Sequence, residues 1–488
     1  MQKSYVRLSG ALFVSLALVA AACGSDKKTT STSPATTAAA ATTEAPATTA
    51  ATATTGATAT TAATATTAGG ATTTAAAGAS TTVAGKPGPA GALEGMQGTT
   101  PLVNLGQDFK DKLNKVDPKL NNTYNYAAET YDAIVLIALA VDKAKTDGIA
   151  YADEINGISR DGTKCTTYAD CAKLIEAGTD VDYDGVSGPL TFSGNGEPTE
   201  ASYGLLKFGA NDQIDDSATK YITAKAPASA DVPQQNAEGT RAGDGVLTIG
   251  SILPQTGSLA YLGPPEFAAF DLAIADINAA GGVLGKPVVG IKGDSGDATT
   301  DTASKTVDSM LSQNVDAIIG AASSGVSLTV IDKITGAGVV EFSPANTSKK
   351  LSTYADKGLY FRTAPSDILQ GAVLASVIQA DGNDTVGIIA RNDAYGTGLA
   401  DDLTANLTAS GVKVVVTKVY DEKAGPSDTD IDALKAANPA AIAVIGFDES
   451  SKILATMVEK GIGPKDVKVY GVDGNMGNAL GTAFDAGK

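Results

Sequence analysis

The sequence predicts an α/β protein built on parallel sheets. From Gly245 onward, short runs of Val, Ile and Ala alternate with helix-length stretches. Such alternation makes βαβ units, whose strands are buried on both faces and therefore read as continuous apolar runs. The second observation is size: about 400 residues follow an N-terminal low-complexity tract, enough for two or three lobes. The third is punctuation, as where Gly281-Gly282 stops an amphipathic helix.

At the N-terminus, Lys3 and Arg7 are followed by an apolar run from Leu12 to Ala22 that ends in small residues before Cys23. The run is too short for a comfortable membrane span, so residues 1–22 read as a signal peptide. Ala20-Ala21-Ala22-Cys23-Gly24-Ser25 resembles a bacterial lipobox, with Ala20 where Leu is usual. The resemblance implies that Cys23 becomes a lipidated N-terminus, and two acyl chains hold stably where one would not. An ordinary signal peptide with a chance Cys is the alternative. Residues 23–86 form a Thr/Ala-rich segment, nearly pure from Thr29 to Thr82. With no periodic apolar face it cannot offset the entropy of ordering, and it reads as a disordered tether. About 60 such residues reach roughly 45 Å, which suits a domain working just off a membrane.

Residues 87–222 hold one strong helical stretch, Tyr126 to Lys143, and a second at Thr167–Glu176. Pro189–Phe192 reads as a strand leading into the Gly-rich turn Ser193–Glu197, and Leu205–Phe208 as a final strand. Alone this is a poor domain. Residues 223–245 are polar, hold two Pro and read as a linker. In 246–488, strands are expected at Val246–Ile252, Val288–Ile291, Ala317–Gly320, Val339–Phe342, Val386–Ala390, Val412–Val419, Ala441–Ile445 and Val467–Val472. Helices are expected at Phe267–Ala279, Thr302–Ser312, Ile368–Gln379 and Ser450–Lys460. Ligands of such folds sit at the carboxyl ends of the strands.

Composition removes several functions. The chain has no His, which excludes His triads, His zinc sites and His proton shuttles. Formal charge is −18 with no basic cluster, which argues against nucleic acid. Gly250-Ser251-Ile252-Leu253-Pro254 is not a dinucleotide-binding turn, Gly396-Thr397-Gly398 is too short a match, and no nucleophile elbow or Walker motif occurs. The sequence gives no reason to expect an enzyme, a metal or a cofactor. Cys165 and Cys171 lie close together, and in an exported chain they read as a disulfide.

The stretch from Gly245 to Lys488 resembles the N-terminal half of the branched-chain amino acid-binding proteins of ABC transporters, which have the type I periplasmic-binding fold. The matching residues are Ile249–Gly257, Ala275–Gly282, Ile319–Ser324, Ser343-Pro344-Ala345-Asn346-Thr347, Phe361-Arg362-Thr363 and Asn392–Gly398, in family order. Residues 87–222 resemble the C-terminal half through Leu93-Glu94-Gly95, Tyr126–Ala133 and Asp182–Leu190. The implied fold class is therefore two doubly wound parallel-sheet lobes joined by a three-segment hinge, with the halves in permuted order. A fragment or a gene-assembly artefact is the competing reading. Lobe one would take Val246–Arg362 and roughly Leu102–Leu205. Lobe two would take Thr363–Lys488, Pro87–Pro101 and the strand near Leu206–Phe208. The linker could span at most about 75 Å, enough to join the halves.

The resemblance also implies a site. Ser324, at the start of a helix, and Thr347 match the family's hydroxyl donors to a ligand carboxylate, and Ala345 matches its backbone contact. Helix capping by Ser324 and a turn role for Thr347 are the plainer readings. Asp473 stands where the family carries an acid for the ligand ammonium, though a solvated strand-end Asp would look the same. Tyr395 would close over the ligand, Phe447 falls at an aromatic position, and Tyr261 lies beside Leu262, where Tyr is common. The implied protein is a monomeric, extracytoplasmic, lipid-anchored binding protein that closes about its hinge on a branched-chain amino acid and delivers it to an ABC permease. Amides, urea or another small polar metabolite, bound by a sensing receptor domain, are the alternative. A surface adhesin is a further rival.

Overall fold

The computed structural model of the chain describes residues 87–227 and 232–487. The segment expected to be a signal peptide, Cys23 and the Thr/Ala-rich tract lie outside them. The first segment runs β1 (Gln97–Pro101), α1 (Gln107–Val116), α2 (Ala127–Ala144), α3 (Ile155–Ile158), β2 (Thr163–Cys165), α4 (Tyr168–Glu176), β3 (Val181–Tyr183), β4 (Glu200–Lys207) and β5 (Lys220–Lys225). The second opens with β6 (Thr248–Leu253), α5 (Gly263–Ala279), β7 (Val289–Asp294), α6 (Thr302–Leu311), β8 (Ala317–Gly320), α7 (Ser324–Gly336), β9 (Val340–Ser343) and β10 (Tyr360–Arg362). It continues with α8 (Asp367–Ala380), β11 (Thr385–Arg391), α9 (Gly396–Ala409), β12 (Lys413–Tyr420), α10 (Asp428–Ala437), β13 (Ala441–Ile445), α11 (Ser450–Glu459), β14 (Lys468–Gly471) and α12 (Asn478–Ala486).

Lobe one is a five-stranded parallel sheet in the order β10-β9-β8-β6-β7. Helix α2 covers one face together with α5. Every residue from Ala133 to Val141 is buried and apolar, so this stretch of the helix belongs in a core. The other face takes Val307 and Met310 of α6 and Val326, Val330 and Ile334 of α7. Lobe two is a seven-stranded sheet in the order β12-β11-β13-β14-β1-β4-β5. Strands β12 through β1 are parallel, and β4 and β5 close the edge antiparallel. Its helices start with defined caps: Ser366 accepts from Ile368 N at α8, and Ser427 and Asp430 form a capping box at α10.

Both chain segments build both lobes. Strand β1 lies beside β14, and Gly98 faces Gly471 so closely that a Cβ on Gly98 would stand 2.6 Å from the Gly471 oxygen. Helix α12 follows β14, and Gly88 N donates to Phe484 O at 3.0 Å. Strands β14 and β1 thus flank α12 as a parallel pair. Three crossings link the lobes: Pro101 to Leu105, Thr191 to Thr199, and Arg362 to Ser366. Arg362 is fully buried where the last two meet. Its Nε donates to Glu197 at 3.0 Å, and Nη1 donates to the Asn346 and Ser348 carbonyls.

The structure departs from the sequence expectations in several places. Leu190 and Phe192 are core residues, but Phe192 makes only an isolated bridge to Pro198 instead of a strand. The Gly-rich turn is present, closed by Ser193 N donating to Glu197 O. The strand expected at Leu205–Phe208 is the end of β4, all of which lies in lobe two. It is not the last of its segment: β5 follows and runs to Lys225, three residues into the expected linker. Residues 232–245 lie against lobe one. Ala237 N donates to Asp153, Arg241 pairs with buried Asp316, and Asp147 accepts from the Asp244 and Gly245 amides. Helix α5 begins at Gly263, before the expected Phe267. Cys165 and Cys171 form a disulfide with Cα atoms 5.5 Å apart. Among the described residues no helix is long and apolar enough to cross a membrane.

Candidate functional site

The carboxyl ends of the two parallel sheets face each other across the hinge, and the loops leaving them build one cleft. From lobe one, β8 ends at Gly320 and α7 begins at Ser324, with Ser323 at the N-cap. The next loop, after β9, is held against it. Ser343 Oγ donates to Ala321 O at 2.7 Å and accepts from Asn346 N, while Asn346 Nδ2 donates to the Ala321 and Ala322 carbonyls. Ser348 N donates to Ser324 Oγ at 3.2 Å. This network fixes Ala345 beside the N-terminus of α7, where free N–H groups and the helix dipole favour an anion.

From lobe two come Tyr395 at the head of α9, Phe447 after β13 and Asp473 after β14. Tyr395 and Phe447 stack with centroids 5.2 Å apart. Arg391 lies over the Phe447 ring, 3.7 Å from its centroid, and is itself held by Asp393, Glu422 and Glu449. The stacking and the cation contact together hold Phe447 in place. Asp473 is 4% exposed. Tyr395 Oη donates to its Oδ1 at 2.6 Å and Tyr126 Oη to its Oδ2 at 2.8 Å. Burial pushes the Asp473 carboxyl up, and these hydroxyls pull it back by hydrogen-bonding the charged form.

These groups line a narrow, nearly closed cavity between the lobes. Lobe one lines it with Leu259, Leu262, Ala322, Ser323, Ser324 and Ala345. Lobe two adds Tyr395, Phe447, Asp473 and Gly474, and Tyr126 enters at the foot of α2. One wall is thus a helix N-terminus with hydroxyls, the opposite wall a carboxylate, and the rest apolar. The arrangement is complementary to a small molecule with an anionic and a cationic end.

Five residues singled out from the sequence therefore meet here: Ser324, Ala345, Tyr395, Phe447 and Asp473. Two stand apart. Thr347 is buried with its hydroxyl facing away from the lining, toward Asp367. Tyr261 bridges the lobes, its Oη donating to Gly474 O at 2.9 Å, and its neighbour Leu262 faces the cavity instead. Tyr126 escaped sequence reasoning: it was legible as the start of a helix, but nothing local marks it as a partner of Asp473.

The chain is similar to known proteins over both of its folded segments. Residues 246–487 match the family described as periplasmic binding protein, and residues 53–211 match the receptor family ligand binding region. The chain is 27% identical over 257 residues to the Leu/Ile/Val-binding protein homolog 3 of Brucella melitensis, a match covering 50% of this chain and 67% of that one. It is 30% identical over 249 residues to BasB of Halobacterium salinarum, a chemotactic signal transduction system substrate-binding protein, covering 49% and 57%. The isoleucine complex of LivJ, a branched-chain amino acid transporter substrate-binding protein of Streptococcus pneumoniae, overlaps with a TM-score of 0.44 and 26% identity, covering 49% of this chain and 67% of that one. The matches span roughly half to two thirds of these relatives. The chain belongs to the type I periplasmic binding proteins.

Proposed function

We propose that this chain is an extracytoplasmic solute-binding lipoprotein that takes a small amino acid, of branched-chain type, into the cleft and hands it to an ABC permease. The observation that carries the reading is the bipolar cavity: the α7 N-terminus on one lobe and Asp473 on the other line the same space. Ser324 and the nearby amides take the carboxylate, Asp473 takes the ammonium, and Leu259, Leu262 and Phe447 take the side chain. Ligand then bridges the lobes and favours the closed form by its differential contacts. Binding, and no catalytic step, accounts for the residues in the cleft. Cys23, lipidated, would hold the protein at the membrane through the tether.

The same reading takes the two halves of the fold to be in permuted order. It is supported by β1 pairing with β14 and by Gly88 lying on Phe484 at the end of α12. A ligand-sensing role is the second reading, favoured by the likeness to a chemotactic substrate-binding protein.

A thermal-shift screen of the purified protein against amino acids, amides and urea tests the proposal. A ligand at about 100 times its Kd adds roughly 2.7 kcal/mol of stability. A shift with isoleucine, leucine or valine that disappears in Asp473→Asn supports the assignment. A shift with urea or amides alone moves the ligand class to the second reading. No shift with any of them removes the binding role.

A further inference from the structure

Behind Asp473 lies a second buried acid. Asp367 opens α8, directly after its Ser366 cap, and is fully buried. Neither of its carboxylate oxygens has a hydrogen-bond partner, and the same is true of Thr347 Oγ1, Gln370 Oε1, Tyr203 Oη and Thr99 Oγ1 on the elements packed against it. The charge of Asp473 pushes the Asp367 carboxyl further up, on top of its burial, and Gln370, one turn along α8, is turned to the backbone, its Nε2 donating to Thr99 O at 3.1 Å.

The charged groups facing Asp367 leave it without a counter-ion. Arg362 of β10 is committed to Glu197, and Asp402 of α9 is paired with Lys349. From the other sides come the hydroxyls of Tyr203 on β4 and Tyr395 at the head of α9, and Asp473 itself. Among the described residues no group of three or more Cys, His, Asp or Glu is arranged to hold a metal ion. Two buried carboxyls with no cation cannot both stay ionised. Their hydrogen bonds break the tie. Each Asp473 oxygen receives a tyrosine hydroxyl in a formed hydrogen bond, which stabilises its charge; Asp367 has only the Thr347 hydroxyl turned toward it, and neither of its oxygens accepts a formed hydrogen bond.

We propose that Asp367 holds the proton of this carboxyl pair in the empty protein and releases it when a cationic ligand group docks on Asp473. Asp367 is then a positioning residue that acts through Asp473. The inference rests on the proposed function in one respect only, that the ligand brings a cation to Asp473. The O–H bond of Asp367 breaks, its electron pair stays on the carboxylate, and the proton passes to solvent buffer. Ligand cation and departing proton balance, so the charge of the buried pair is matched in both states. Binding must tighten as pH rises, by up to about tenfold per pH unit for one proton released.

Two measurements test this. The infrared difference between wild type and Asp367→Asn, ligand-free at pH 7, should contain the carbonyl band of a protonated carboxyl belonging to the wild type. Its absence overturns the proposal. Isothermal titration with isoleucine should give different heats in phosphate and in Tris, because the released proton is taken up with a different enthalpy by each buffer. In Asp367→Asn the heat should no longer depend on the buffer. Equal heats in wild type overturn the proposal, and this comparison stands even where the variant does not fold. No heat from isoleucine sinks the binding reading and the release step with it, while the infrared band still decides where the proton sits.

Discussion

Glu129 sits in the first turn of α2, 6% exposed, one turn beyond the cavity residue Tyr126. Burial pushes its carboxyl up to about 8, and the charge of Asp132 adds to the rise. Glu266, in the first turn of the neighbouring α5, is also buried, both of its oxygens lack partners, and its carboxyl is pushed well up by burial and by Glu129. A carboxyl raised in the folded state holds its proton more tightly there than in the unfolded chain. Its contribution to stability is complete below about pH 4.5 and is lost as pH rises toward 8. Urea denaturation at pH 5 and pH 9 should therefore show the wild type losing roughly 4 kcal/mol on this account. Glu129→Gln, which has no charge to desolvate, should lose much less. Parallel pH profiles for the two proteins would place the proton elsewhere. At this same scale the sequence was most informative about loops that follow strands. Ser324, Phe447 and Asp473 each stand a few residues beyond a short apolar run, so the run locates them. Tyr126 meets Asp473 across 347 residues of sequence, and its one local signal is the start of a helix.

Among the elements, the hinge depends on one side chain. Arg362 joins two of the three crossings and the loop that presents Ala345, through Glu197, Ser352 and the carbonyls of Asn346 and Ser348. Its replacement by Met would leave Glu197, whose side chain is 12% exposed, without its cation. Breaking a buried pair from one side costs about 3–5 kcal/mol, because the remaining charge is uncompensated. Arg362→Met should lower the unfolding free energy by that amount in urea. Changing Glu197 to Leu in the same protein should recover part of it by removing the stranded charge. If the double variant were no more stable than Arg362→Met, packing of the guanidinium would matter more than its charge. Element boundaries were legible where burial is complete. Ala317–Gly320 and Ala441–Ile445 read as strands because both faces are covered and every residue is apolar or Gly. Strand β5 did not: Lys220-Tyr221-Ile222-Thr223-Ala224-Lys225 is an exposed edge whose polar residues look like the linker beyond it. The start of α5 was hidden by Pro264-Pro265, which reads as a break although Pro is tolerated in the first turn of a helix.

At the scale of the whole molecule, each lobe draws on both segments. Residues 246–487 supply every strand of the lobe-one sheet, but α2, which fills most of that lobe's core on one face, comes from the first segment. The lobe-two sheet likewise ends at β14 until β1, β4 and β5 extend it. If the proposed permutation is right, chain order is secondary to these contacts, because an exposed connection can be opened when the old ends are joined. The place for joining is visible. Gly88 donates to Phe484, so the chain leaving α12 needs only a short link to enter the segment before β1 and complete β14-α12-β1 as a regular crossover. The place for opening is less neutral. Residues 232–245 are anchored to lobe one by Arg241 on Asp316 and by the amides on Asp147, whereas Lys225 and Ala226 still belong to lobe two. A cut just after residue 227 should therefore leave 232–245 as an N-terminal arm docked on lobe one. A reordered chain, 232–487 followed directly by 87–227, should give the same circular dichroism and one cooperative melt within a few degrees of the original order. Its ligand-induced shift should be the same, since no cavity residue lies near either junction. A second reordered chain that also carries Arg241→Ala should melt lower, because the Asp316 carboxylate is then buried without its partner. Two separate transitions in the first chain would mean that the present order holds the halves together, and the permuted reading would fail.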